Sequence, residues 1–216
     1  MLGNDEIFWT PTDEMNAAQL SWSTSGGDVS ALRVQTHRRW RYCLQLLAQA
    51  DVPAPSGKVV EFGAGMGFLD DLLDDRCSTI VMLDHTDAFI EQRPRPLSSR
   101  CRHVLWSQES LDALQAEDAD YDWLLLFAVL YHVDDATAAA LIRELGMVLR
   151  PGGHVLIEGW DQATPQLLRK MATKSRLFSP YPCYPLNVDL LSATLAPEYQ
   201  ELWRDGILVY RKLPTT

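Results

Sequence analysis

Two acids and a histidine, set around an alternating run of glycines, are the residues whose types and spacing suit chemistry in this sequence. Glu61 stands two positions before Gly63, and glycine recurs at Gly65 and Gly67, with Ala64 and Met66 between them. Glycine permits backbone conformations and close approaches that a Cβ blocks. A turn of this kind after a strand is expected to aim free backbone N–H groups at a ligand lying over it. The spacing is G-x-G-x-G, whereas a dinucleotide turn reads G-x-G-x-x-G, and Phe68 occupies the place of the third dinucleotide glycine. Asp84 ends an apolar run about twenty residues beyond the turn, a spacing at which a carboxylate accepts from ribose hydroxyls. Its other reading is a cap for a helix over 86–91. His132 follows a long apolar run, and an imidazole near neutral pH can take a proton from a hydroxyl nucleophile. A histidine that only hydrogen-bonds locally and shapes a pocket fits the same position.

The pattern of apolar residues predicts the elements that must position these groups. Val59-Val60-Glu61-Phe62 reads as a buried strand, and Phe68, Leu69, Leu72 and Leu73 fall at helical spacing after the turn. Trp40, Cys43, Leu44, Leu47 and Ala50 predict an amphipathic helix over 31–50, with Ser30 as its cap and Arg33, Arg38, Arg39 and Arg41 on its solvated face. Residues 79–84 read as a second strand and 103–106 as a third. Between them, 91–102 reads as a helix end and an exposed loop. The apolar run 121–130 fits a central parallel strand buried on both faces. A helix capped by Asp134 or Asp135 follows, with Leu141, Ile142, Leu145, Val148 and Leu149 on one face, stopped at Pro151-Gly152-Gly153. Residues 154–159 read as the fifth strand, 164–176 as a basic helix, 177–186 as an aromatic, proline-rich segment and 188–196 as a helix. Asp205-Gly206, between 199–204 and 207–212, signals a hairpin.

The run Glu61-x-Gly63-x-Gly65-x-Gly67 resembles motif I of the class I S-adenosylmethionine (SAM)-dependent methyltransferases. The strand ending at Asp84 resembles motif II, and the stretch from Tyr121-Asp122-Trp123 through the helix to Leu149–Gly153 resembles the corresponding later segment. Three motifs in order, over roughly residues 57–160, are more specific than one. The resemblance implies an α/β fold: a seven-stranded, mostly parallel sheet with helices on both faces and a closing antiparallel hairpin. Residues 1–56 would form an N-terminal helical cap segment and 57–216 the SAM-binding methyltransferase domain. It implies SAM as cofactor, held by Glu61, Gly63, Ala64, Gly65, Gly67 and Asp84. In the family an acid after the third strand commonly holds the adenine amino group. Here Ser107 and Gln108 stand at that place, and either side chain can hydrogen-bond adenine instead. The family places methyl group and substrate beside His132, which makes it the candidate general base. Tyr131, Trp160, Tyr181 and Tyr184 are candidates for the pocket wall. Among the cations Arg169, Lys170, Lys174 and Arg176, Arg176 is the candidate for holding an anionic substrate group, with a plain solvated helix face as the alternative. Ligands of an open α/β sheet bind beyond the carboxyl ends of its strands, so His103 and His154, which begin strands, are expected at the wrong end.

Composition bounds the rest. The 216 residues fit one α/β domain with a small extension. A net charge of −10 argues against a nucleic-acid substrate, because phosphate contact needs a basic face. The longest apolar run, Trp123–Tyr131, is too short to cross a bilayer. Cys43, Cys77, Cys101 and Cys183 are scattered, which suggests neither a metal site nor a disulfide framework. The first ten residues carry no basic region and no signal-like apolar core. The expectation is a cytoplasmic enzyme that methylates a small molecule, on oxygen first and nitrogen second, of the kind found in natural-product or secondary metabolism. The alternatives are a non-catalytic member serving as a protein partner and, less favoured by the glycine spacing, an NAD-binding oxidoreductase.

Overall fold

The computed structural model describes residues 29–73, 75–116, 120–159, 184 and 186–214, with the backbone alone for Ala31 and Tyr131. Its strands are β1 (Gly57–Phe62), β2 (Cys77–Asp84), β3 (Cys101–Leu105), β4 (Tyr121–Phe127), β5 (Leu149–Glu158), β6 (Tyr199–Asp205) and β7 (Ile207–Lys212). They form one seven-stranded sheet in the order β3-β2-β1-β4-β5-β7-β6. The first five strands pair in parallel, and β7 runs antiparallel between β5 and β6. The seven-stranded, mostly parallel sheet with a closing hairpin is the arrangement expected from the sequence.

Four described helices cover the sheet: α1 (Val29–Gln49), α2 (Gln108–Ala116), α3 (Asp135–Leu145) and α4 (Val188–Leu195). Strand residues alternate between two cores. Val60, Val81, Leu124 and Leu126 face Leu111 and Leu114 of α2, Leu141, Ile142 and Leu145 of α3, and Leu191 and Leu195 of α4. Val59, Ile80, Met82, Trp123 and Leu125 face Trp40, Cys43, Leu46 and Leu47 of α1. Leu124, Leu125 and Leu126 are fully buried, which is why β4 reads as unbroken apolar sequence. Each such leucine contributes about 2 kcal/mol of burial. Asp134 caps α3, accepting from the Thr137 N–H at 2.8 Å.

Several sequence expectations are corrected. Only one 3-10 turn, Phe68–Asp71, follows the glycines, not a helix to Leu73. Just nine residues separate Gly67 from β2, and the Asp70 side chain is drawn inward to Ser98, accepting from its N–H at 2.8 Å and its hydroxyl at 2.5 Å. The expected helix over 86–91 is a 3-10 turn at Ile90–Gln92, and the loop beyond it is not simply exposed, because the Arg93 side chain is buried. β4 ends at Phe127. Ala128, at φ 56°, turns the chain out of the sheet and donates its N–H to the Glu158 carbonyl at 3.0 Å. β5 begins at Leu149, so Pro151-Gly152-Gly153 lies inside a strand and does not stop a helix. Its pairing with β4 shifts register between Tyr121 and Trp123, and Gly152 takes a φ of 81°. Ser30 sits within α1 and does not precede it. Arg33 and Arg39 are not simply solvated: Arg33 pairs with Asp71 at 2.8 Å and Arg39 with Glu158.

Candidate functional site

The glycine turn lies at the carboxyl end of β1, between the ends of β2 and β4. Four of its backbone donors are already committed. Gly63 N–H and Ala64 N–H donate to the Leu83 carbonyl at 2.8 and 3.3 Å, and Gly67 N–H donates to the Ala64 carbonyl at 2.9 Å. Gly65 N–H donates to Asp84 Oδ2 at 2.7 Å. The expectation of free N–H groups aimed at a ligand is therefore wrong for these four positions. The turn closes on itself and on β2. Gly67 needs its left-handed φ of 65°, and a Cβ there would meet Met82 Sδ at 2.8 Å. A Cβ on Gly65 would meet no described protein atom within 4 Å, so this glycine faces open space.

The acceptors tell the opposite story. Glu61 and Asp84 are each 3% exposed, and one oxygen of each, Glu61 Oε2 and Asp84 Oδ1, is buried without a hydrogen-bond donor. His85 Nδ1 stands 3.0 Å from Asp84 Oδ1, an electrostatic approach without hydrogen-bond geometry. Glu61 pairs with Met82 in the sheet, so its side chain leaves β1 on the face that Met82 and Asp84 share on β2. Burial pushes the Glu61 carboxyl up to about 8, the nearby Asp84 charge adds to the rise, and Arg93 opposes it. Burial also raises Asp84, against lowering by His85 and by the Gly65 and His85 backbone N–H groups. Buried unpaired acceptors are costly, so they mark a place where donors or a cation belong.

Other candidates sit as follows. His132 ends the 3-10 turn Leu130–His132, beyond the carboxyl end of β4; it is half-buried, and its backbone N–H donates to the Val129 carbonyl at 2.9 Å. Val129 packs against the glycine turn, where a Cβ on Gly63 would meet its Cγ2 at 2.5 Å. Ser107 and Gln108 are exposed and engaged locally. Ser107 Oγ accepts from the Ser110 N–H at 3.0 Å at the start of α2, and Gln108 Nε2 donates to Asp112 at 2.9 Å. Tyr184 is exposed, and Tyr131 is placed by its backbone on the His132 turn. Trp160, Arg169, Lys170, Lys174, Arg176 and Tyr181 lie outside the described residues. His103 corrects the sorting of the histidines. It pairs with Met82 in mid-sheet, its Nδ1 lies 3.1 Å from Asp87 beyond β2, and its charge acts on Asp84. β3 begins at Cys101, two residues earlier than expected, so His103 stands at the middle of the strand and not at its start.

Arg93 escaped the sequence reading. Its guanidinium lies under the turn and donates to the Met66 and Gly67 carbonyls at 3.0 and 2.5 Å, to Asp71 at 2.9 Å and to Asp70 at 3.3 Å. The signal that points to it is the acid pair Asp70-Asp71, three and four positions after Gly67, which needs a cation if it is not to face water.

These residues fit SAM. Asp84 Oδ1 suits a ribose diol, Glu61 suits an ammonium group, and Gly65 leaves room above the turn. A phosphate would compete for the N–H groups that Gly63, Ala64, Gly65 and Gly67 already donate inward.

Residues 59–153 match the model of a family described as a methyltransferase domain. The chain is 28% identical over 142 residues to a ubiquinone/menaquinone biosynthesis C-methyltransferase of Shewanella frigidimarina, a match covering 62% of this chain and 54% of that protein. It is 25% identical over 144 residues to a ubiquinone biosynthesis O-methyltransferase of Methylocella silvestris, covering 61% and 56%. The chain thus spans about half the length of the curated relatives it matches. The solved structure of magnesium protoporphyrin IX methyltransferase from Synechocystis with bound S-adenosylhomocysteine (SAH) superposes with a TM-score of 0.60 at 15% identity, covering 93% of this chain and 95% of that one. No helix among the described residues is long and apolar enough to cross a membrane.

Proposed function

We propose that the chain is a class I, Rossmann-like, SAM-dependent methyltransferase that transfers a methyl group to an oxygen, or second to a nitrogen, of a small molecule. The observation that carries the reading is the pair of buried, donorless oxygens on Glu61 and Asp84 beside a turn in which Gly63, Ala64, Gly65 and Gly67 donate their N–H groups inward. Asp84 would accept from the ribose hydroxyls while holding Gly65 in place. Glu61 would meet the ammonium of the methionine end, directly or through water. The cofactor supplies a methyl group on a sulfonium, already activated as a leaving group by its charge. The protein's work is then to position the acceptor and to remove its proton. His132, beyond β4, is placed to take that proton on its imidazole when the acceptor is a hydroxyl. Tyr131 shares its turn.

Incubating a metabolite extract with SAM carrying a labelled methyl group tests the whole reading. Label is expected on a small molecule, attached to oxygen or nitrogen. Label on protein or RNA alone overturns the substrate class. Calorimetry separates cofactors: SAM and SAH are expected to bind, and tight NAD binding without a response to SAM overturns the assignment. Replacing His132 with Ala should lower kcat at least 100-fold if it is the base, and leave it unchanged if the residue only shapes the pocket.

A further inference from the structure

We propose that Arg93 is a positioning residue for the cofactor: its guanidinium holds the glycine turn through the turn's carbonyls and fixes the segment that stands where a helix was expected. The inference rests on the SAM reading of the same site and goes beyond it to a residue outside the glycine motif.

The geometry is specific. A helix starting after a glycine turn brings a positive dipole end and a rigid hydrogen-bond ladder to the ligand. This chain has instead one 3-10 turn, Phe68–Asp71, too short for such a ladder. Arg93 reaches into that place from the loop after β2. One nitrogen, Nη1, bridges the carbonyls of Met66 and Gly67, so the turn's acceptors are fixed from below. The other, Nη2, bonds Asp71 and Asp70, and so fixes the segment that replaces the helix. Asp71 is shared with Arg33 of α1, which links the turn to the helix packed over it. The Arg93 side chain is 4% exposed, a degree of burial at which a guanidinium needs its partners.

The same charge acts on Glu61. The charged and titratable groups around Glu61 are Asp84 on β2, Asp70 on the 3-10 turn, Cys101 on β3 and Arg93. Beyond Asp84 stand His85 and His103. Two of the acids, Asp84 and Asp70, favour protonated Glu61, and Arg93 favours the ionised form that an ammonium group requires. Without Arg93 the carboxyl would ionise at higher pH, and cofactor binding should strengthen at correspondingly higher pH.

The test uses SAH binding by calorimetry between pH 6 and 8, with thermal stability measured beside it. Arg93→Met is expected to weaken SAH binding about tenfold at pH 7 and to move the pH dependence upward. Arg93→Lys keeps the charge and loses the fork, so it should bind SAH more weakly with the pH dependence of the wild type. Arg100→Met is the structural control. Arg100 ties the same loop to the Leu73 and Cys77 carbonyls, away from the turn, and its loss should lower stability without changing SAH affinity. If Arg93→Met does not fold, the Lys variant still decides: affinity equal to wild type overturns the proposal. Weakening by one constant factor at every pH in the Met variant overturns the electrostatic part, which the proposal requires. Absence of SAH binding by the wild-type protein overturns the cofactor reading itself, an outcome distinct from wild-type binding with indifferent variants, which overturns the role of Arg93 alone.

Discussion

Replacing Glu61 with Gln should make the protein more stable and a poorer binder of cofactor, and the two effects can be measured separately. Burial raises the Glu61 carboxyl from 4.5 to about 8. The folded state therefore keeps a proton that the unfolded chain has already released above 4.5. For an acid shifted upward, stability is greatest at low pH and declines as pH climbs from the unfolded value to the folded one. Between pH 6 and 8 the linkage relation gives a loss of roughly 2 kcal/mol. In a chain of this size that lowers Tm by about 4–8 °C. Glutamine has no proton to lose, so its advantage over wild type should widen across the same range. Binding runs the other way. An ammonium group pairs with ionised Glu61, which is about 1% of the free protein at pH 6 and about half at pH 8. Wild-type affinity for SAH should then rise on the order of 50-fold over that range, because only the competent fraction binds. The Gln variant should bind weakly and show no such rise. Calorimetric titrations and thermal melts at matched pH values provide both readouts. A wild-type affinity indifferent to pH would show that Glu61 does not meet a cation. A Gln variant less stable than wild type at pH 8 would show that the carboxylate is satisfied within the protein.

Four further variants have expected outcomes. Asp84→Asn leaves one acceptor oxygen for two donors, the Gly65 N–H and a ribose hydroxyl, and should weaken SAH binding by about 10–100-fold in calorimetry. Gly65→Ala should cost about 1–2 kcal/mol from its left-handed φ and abolish SAH binding, since its Cβ enters space that no protein atom fills. Gly67→Ala adds a clash with Met82, so thermal melts should show it as the less stable of the two. Asp134→Ala removes the cap of α3 and should cost about 1 kcal/mol in a denaturant titration.

How much was legible depended on how local each cause was. The strand β4 announces itself because Leu124, Leu125 and Leu126 are buried by parallel neighbours on both sides, and only an unbroken apolar run survives there. The hairpin turn at Asp205-Gly206 is equally local, with Gly206 at φ 70°. The motif singles out Glu61 and Asp84, and the fold buries both acids with one oxygen of each lacking a hydrogen-bond donor. The helix after the glycines was misread because Phe68, Leu69, Leu72 and Leu73 do have helical spacing. What overrides it is Asp70, which turns inward to Ser98 and Arg93, partners about 25 residues away in the chain. Arg39 and Glu158 meet across 119 positions, and no periodicity records such a pair. His103 was misplaced because β3 begins at Cys101, two residues before the apolar run that signals it, which puts His103 at mid-strand.

The departure at the helix and the correction at the turn have one physical meaning. A dinucleotide turn presents free N–H groups and a helix dipole to phosphate. Here Gly63, Ala64, Gly65 and Gly67 donate inward, the helix is a single turn, and a buried arginine faces the back of the loop where its carbonyls point. Charge on the ligand side is left to Glu61 and Asp84, both acids, both with an oxygen that lacks a donor. Such a surface repels a pyrophosphate and attracts a ligand that carries hydroxyl donors and positive charge. SAM has two cationic centres and a ribose diol. Loss of the sulfonium on methyl transfer removes one of those charges, so the same two carboxylates should hold the substrate cofactor more tightly than its product. Comparing SAM and SAH affinities in wild type and in Glu61→Gln measures this directly. The ratio is expected to exceed one in wild type and to shrink in the variant, and a ratio unchanged by Glu61→Gln would place the discrimination elsewhere in the site.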